Sequence, residues 1–236
     1  MVCTATIQFK PVKGDPEENL RKVLDLCGQA ITAGAKLLTL PEMCLTGYIW
    51  PNASSIRRYA EPALGVSYLQ LAEFCRNNQC YLAYGFAETC SGHLYNAQNL
   101  IGPGGGLLAT YRKTHLFDAD CTWATPGNSG FISVNTEIGK LGLGICMDLN
   151  FDDFVLYHQW ENTTYLLLAV NWLDEGFHVH PYWLHRLYPF SGTTLIANTH
   201  GWEERIAFSG NSGVFIGNSC LVAAPKSKDH ILCIDV

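Results

Sequence analysis

Apolar and polar positions change their period along the chain, and the changes mark out its elements. The opening stretch CTATIQF (3–9) alternates and is rich in β-branched residues, so it predicts a strand. From Asp15 the period lengthens to that of a helix. Leu20, Val23, Leu24, Cys27 and Ile31 share one face. Asp15 is placed to cap the first turn, Pro16 suits its start, Glu17 and Glu18 complement its positive end, and Gly34 marks the stop. KLLTLPE (36–42) is apolar without alternation, as in a strand covered on both faces. Together these segments predict a β-α-β unit.

The same elements recur downstream. SYLQLAEFCRNN (67–78) predicts a helix and CYLAYGFAET (80–89) a strand. LYNAQNLIGPGGGLLATYRK (94–113) and GFISVNTEIGKLGLGICMDL (130–149) predict hairpins, TTYLLLAVNWL (163–173) a buried strand, and HPYWLHRLYPF (180–190) a helix. TTLIANTHG, RIAFSGNSGVFIG and SCLVAAP follow as strands, and ILCIDV closes the chain as another. Helices alternating with strands, with hairpins between them, predict an α/β protein with two mixed sheets packed face to face and helices outside. No linker, low-complexity segment or repeat interrupts residues 1–236, so a single domain is expected.

Composition narrows the partners. Of 236 residues, 48% are hydrophobic and only 15% charged, which points to large buried sheets or a subunit interface. The net charge of −6 carries no basic stripe, so no nucleic-acid partner is expected. No apolar run approaches the roughly 20 residues of a membrane span, and MVCTATIQFK has neither the basic start nor the cleavage site of a signal peptide. Ten cysteines with no C-x-x-C pair, in a chain of this size, predict free thiols in a reducing, cytoplasmic compartment. Cys3, Cys80, Cys220 and Cys233 sit in strand-like runs, as small apolar residues do.

Three predicted strands end on a reactive group: Glu42 after LLTLP, Lys113 after LLATYR and Cys146 after LGLGI. Each alone has an ordinary explanation, a solvated turn acid, a surface lysine or a packed cysteine. Ligands gather at the carboxyl ends of strands in sheets with crossover connections, so the three are expected to converge. A thiolate is a strong nucleophile, a carboxylate beside it can act as general base, and a lysine can hold the carboxylate and stabilise an oxyanion. Two other features carry no site. GPGGG (102–106) lacks the Lys-Ser/Thr and helix of a phosphate loop and reads as a hairpin turn, and His178, His180 and His185 lack acidic or cysteine partners at metal-ligand spacing.

LPEMCLTGY (40–48), YRKTHLF (111–117) and GICMDLNF (144–151) resemble, in order, the three motifs of the nitrilase superfamily of carbon–nitrogen hydrolases. The resemblance extends over almost the whole chain. It implies an α-β-β-α sandwich and cysteine-dependent hydrolysis through a thioester. Glu42 would be the base, Lys113 and the Met147 N–H the oxyanion donors and Cys146 the nucleophile, with no metal or cofactor. Asn150 stands where the common amidase form of the third motif has Arg. ICMDLN, SSIRRYAEPALGVS (54–67) and ANTHGWEERIAFSGNSGVF (197–215) are similar instead to the branch that deamidates N-terminal Asn or Gln of proteins, feeding a degradation signal. The alternative within the superfamily is a small-molecule ω-amidase, nitrilase or N-carbamoyl hydrolase. Many members carry a second Glu after the lysine; KTHLFDADCTWATPG has none, which leaves Asp118 or Asp120 for that place, or leaves it unfilled.

A peptide N-terminus as substrate brings an ammonium group that needs an acidic partner when buried. Asp118, Asp120, Asp148 and Asp174 are the candidates, and Asp148 has a competing role in ordering the turn after the nucleophile. Tyr48, Trp50, Trp123, Asn171 and Trp172 are expected to wall the pocket. The superfamily often dimerises by stacking its sandwiches, and the chain lacks the C-terminal tail that many relatives exchange, so a monomer or simple homodimer is expected.

Overall fold

The computed structural model describes residues 1–236. The first half runs β1 (Cys3–Gln8), α1 (Pro16–Thr32), β2 (Leu37–Thr39), α2 (Ala53–Ile56), α3 (Val66–Asn78), β3 (Tyr81–Cys90), β4 (His93–Ile101) and β5 (Leu107–Arg112). The second half runs β6 (Ile132–Thr136), β7 (Gly139–Ile145), α4 (Asp152–Trp160), β8 (Tyr165–Val170), α5 (His180–Leu187) and β9 (Thr193–Asn198). It continues through β10 (His200–Glu203), β11 (Ile206–Ser209), β12 (Gly213–Ile216), β13 (Ser219–Ala223) and β14 (His230–Asp235).

The expected β-α-β unit is present. Asp15 accepts a hydrogen bond from the Glu18 N–H, and Pro16 begins α1. The buried face is built from Leu20, Val23, Leu26, Cys27 and Ala30, while Leu24 and Ile31 sit at its margin. Strands order β14-β1-β2-β3-β4-β5 in one sheet and β13-β12-β9-β8-β7-β6 in the other. In the first, β1, β2 and β3 are parallel and the rest antiparallel; in the second, β7, β8 and β9 are parallel and the rest antiparallel. Read from opposite ends, the two sheets carry the same succession of directions. The chain shows no repeat in its residues, yet its topology repeats, with β2 and β8 in matching places.

Helices α1 and α3 pack on the outer face of the first sheet, and α4 and α5 on that of the second, giving the four layers α-β-β-α. Between the sheets the strands present polar as well as apolar residues. Ala5 and Ile7 of β1 face α1, so Thr4, Thr6 and Gln8 point inward, and they are fully buried. Gln8 accepts from both the N–H and the hydroxyl of Ser212, at 2.9 Å each. Gln98 on β4 donates to the Leu167 carbonyl and accepts from the Gly144 N–H, both at 3.2 Å, and so reaches β8 and β7 across the gap.

Some boundaries differ from expectation. Helix α4 occupies a stretch for which the sequence pattern predicted nothing, because Phe154, Val155 and His158 make too short a buried stripe. The segment 193–201 divides into β9 and β10, and 205–217 divides at Gly210 into β11 and β12, with β10 and β11 forming a separate hairpin. Cys80 is buried as expected, but Cys233 is exposed on β14, which lies at the edge of its sheet. No helix is long and apolar enough to cross a membrane.

Candidate active site

Glu42, Lys113 and Cys146 meet where the two sheets adjoin. Glu42 lies three residues beyond β2, Lys113 immediately beyond β5 and Cys146 immediately beyond β7. The loop after β2 crosses β3 at Gly85, where a Cβ would stand 2.7 Å from the Glu42 Cα; only glycine admits that approach. Cys146 opens a 3-10 turn, Cys146–Asn150, with φ of 43°, a left-handed conformation that costs a non-glycine residue about 1–3 kcal/mol.

Glu42 and Lys113 are buried, and Lys113 Nζ donates to Glu42 Oε1 at 2.7 Å and to Asp120 Oδ2 at 2.6 Å. Asn96 on β4 completes a ring, donating to Glu42 Oε1 at 2.7 Å and to Asp120 Oδ1 at 2.9 Å. Two carboxylates thus share one ammonium and one amide. Burial raises the pKa of Glu42, with Lys113 opposing it. Burial would lower that of Lys113, but Asp120 and Glu42 together hold it well above its ordinary value. The ammonium therefore stays charged. Glu42 Oε2 has no hydrogen-bond partner in the protein.

Cys146 forms part of the floor of a cavity of about 320 Å³ and is only 8% exposed. Its thiol is pushed well above the ordinary cysteine range, chiefly by burial and then by the charge of Glu42; Lys113 and the Asn171 backbone N–H oppose the shift. Met147, Asn171 and Trp172 line the same cavity, joined by Glu175, Phe177 and Tyr182. Asn171 follows β8, the topological counterpart of the strand before Glu42, and donates to the Glu42 carbonyl at 2.9 Å.

The remaining expected residues are placed differently. Asp120 belongs to the charge cluster, whereas Asp118 is exposed and outside it. Asp148 is fully buried, and both its oxygens are occupied. One accepts from the His115 N–H and lies 3.0 Å from His115 Nδ1; the other accepts from the Tyr111 hydroxyl at 2.8 Å and the Ile145 N–H at 3.1 Å. It ties the lysine loop to the cysteine turn and does not line the cavity. Asp174 pairs with Lys226 at 2.7 Å. Tyr48 does not line the cavity; its ring lies 5.8 Å from Lys113 Nζ, and its backbone N–H is held by Glu203 of the hairpin. Trp50 packs on Tyr59 and donates to the Gly47 carbonyl, and Trp123 is buried in the same side cluster; neither lines the cavity.

Sequence reasoning passed over Asn96 and Glu175. Asn96 sits in the polar-apolar alternation of YNAQNL, where polar positions look solvent-facing; here they face the other sheet. Glu175 lies in a loop, where no periodicity exists to place it.

Carbon–nitrogen hydrolase is the family whose model matches residues 3–223. The chain is 32% identical to the protein N-terminal amidase of Schizosaccharomyces pombe, over 87% of this chain and 88% of that one. It is 36% identical to the omega-amidase NIT2 of Homo sapiens over 61% of this chain, a match that spans 54% of the relative. The crystal structure of an amidase from Nesterenkonia sp. shares the fold, with a TM-score of 0.89, 22% identity, and coverage of 100% of this chain and 90% of the other.

Proposed function

The chain belongs to the carbon–nitrogen hydrolase family, and from that premise we propose that it deamidates the side-chain amide of N-terminal Asn or Gln in peptides or proteins, with Cys146 as nucleophile. The observation that carries the chemistry is Glu42, held by a buried ammonium, with its Oε2 unpartnered and its charge acting on the thiol. Cys146 Sγ attacks the amide carbon while Glu42 takes the thiol proton. The tetrahedral oxyanion is met by Lys113 and the Met147 N–H; Lys113 uses two of its three protons on Glu42 and Asp120, leaving one. Glu42 passes its proton to the leaving nitrogen, and ammonia departs from a thioester. Glu42 then deprotonates water, the hydroxide attacks the thioester, and the thiolate leaves and recovers the proton. The product is N-terminal Asp or Glu, and no step needs a metal or cofactor.

The substrate assignment is supported by the N-terminal amidase, whose similarity runs through most of both chains, while the ω-amidase similarity spans about half of that relative. The test is to incubate the protein with peptides beginning Asn, Gln or Ala and to follow ammonia and peptide mass. Asn and Gln peptides are expected to convert to the acids and the Ala peptide to remain. Conversion of free dicarboxylic amides, nitriles or carbamoyl amino acids with none of the peptides would replace this reading with a small-molecule one.

A further inference from the structure

We propose that Glu175 is the counter-ion for the α-ammonium group of the substrate. The inference rests on the N-terminal amide reading and names what recognises the N-terminus.

An ammonium group carried into a largely apolar cavity needs an anionic partner there. The four aspartates that the sequence offers for this are unsuited. Asp120 is engaged by Lys113 and Asn96, Asp148 by its three donors and His115 Nδ1, and Asp174 by Lys226, while Asp118 lies outside the cavity. Among the cavity's lining residues one is anionic, Glu175, and none is Lys, Arg or His. Trp172, Leu173 and Phe177 supply apolar wall around it. The other polar groups are largely committed: Asn150 donates to the Met147 carbonyl and accepts from the Tyr182 hydroxyl. Asn171 is only 3% exposed, and its Nδ2 is used on the Glu42 carbonyl.

The cavity's lining therefore offers one anion and no cationic residue. A primary amide bearing a nearby ammonium supplies matching donors, and an amide whose far end is a carboxylate meets Glu175 with like charge. The segment that presents Glu175 is braced on both sides. The Asp174 N–H donates to the Ala207 carbonyl at 2.8 Å, Leu173 bridges to Phe208, and the Gly176 N–H returns to Asp174 Oδ1 at 3.2 Å. Glu175 is exposed in the free protein, where an ion pair would be weak. Substrate covering the cavity removes that water and strengthens the pair.

The experiment uses the full chain with Cys146→Ala, alone and combined with Glu175→Gln or Glu175→Lys, so that binding is read without turnover. Kd is measured for an Asn-initiated peptide, for the same peptide with its α-amino group replaced by hydrogen, and for succinamate. With Glu175 present, the ammonium-bearing peptide is expected to bind about tenfold or more tightly than the uncharged one, the size of one charge-assisted hydrogen bond. Glu175→Gln should collapse that ratio, and Glu175→Lys should shift preference toward succinamate. Absence of a preference with Glu175 present, or a preference that survives both substitutions, would overturn the assignment. Turnover by the unaltered protein decides the N-terminal amide reading separately: failure to deamidate the peptide sinks that reading, while the Kd ratio still decides Glu175.

Discussion

Cys146 is a thiol that its surroundings make harder to ionise. Burial and the neighbouring Glu42 raise its pKa more than Lys113 and the Asn171 N–H lower it, so it rests protonated, and in the proposed mechanism it depends on Glu42 to become a nucleophile. Two outcomes follow. Cys146→Ala should abolish turnover while the unfolding midpoint moves little, because the thiol makes a small part of the core; a large drop in the midpoint would mark Cys146 as mainly a packing residue. Glu42→Gln should slow alkylation of Cys146 by acrylamide about 100-fold or more, read by mass mapping against the exposed Cys121, whose rate should not change. Asp148 has the opposite character. Asp148→Ala would strand the Ile145 and His115 N–H groups and the Tyr111 hydroxyl, and should cost about 3 kcal/mol or more in denaturant unfolding. Of the site, the sequence made legible the residues that terminate strands: Glu42, Lys113 and Cys146 each carry both a motif and a strand end. Asn96 was hidden because alternation says which positions share a face but not whether that face meets water or a second sheet.

Among the elements, β7 and α4 show how a Gly-rich strand acquires its packing. Gly142 and Gly144 leave room on β7 for His158 and Phe154 of α4: a Cβ on Gly142 would stand 2.6 Å from His158 Nδ1, and one on Gly144 would meet the Phe154 ring. Gly144→Ala should therefore destabilise by about 1–3 kcal/mol or displace the helix. The alternation of small and large residues in LGLGI thus served α4, an element that the sequence pattern gave no means to anticipate. His158 pays for its burial in pH sensitivity. Its folded pKa is lowered to about 3, mainly by burial, from an ordinary 6.5. Between those values the unfolded chain takes up a proton that the folded chain refuses, so stability falls as the pH drops below about 6.5, by about 2 kcal/mol at pH 5. In His158→Gln, urea unfolding should lose less stability between about pH 7.5 and pH 5 than in the parent. An unchanged slope would assign the acid sensitivity elsewhere.

For the whole molecule, the governing fact is that neither sheet holds the site alone. Glu42, Asn96 and Lys113 come from the first, Cys146 and Asn171 from the second. Loss of activity in urea should therefore coincide with loss of tryptophan fluorescence; activity that vanished first would show the sheets parting before either unfolds. The layered architecture was legible because strand and helix periods are local properties. The doubled topology was not, because strand order depends on pairings between distant segments. The polar residues between the sheets give this arrangement a further meaning. Apolar surfaces alone would let one layer glide over the other at little cost, since burial does not depend on direction. Gln8 and Gln98 act as pegs, each accepting a directed bond that fails if the layers shift by one residue. Gln98 grips β7 two residues before Cys146, so the alignment of thiol and carboxylate is gauged by an amide outside the cavity's lining. A leucine there would fill the space but strand the Gly144 N–H and the Leu167 carbonyl, leaving the gap between thiol and carboxylate with no directed bond to set it.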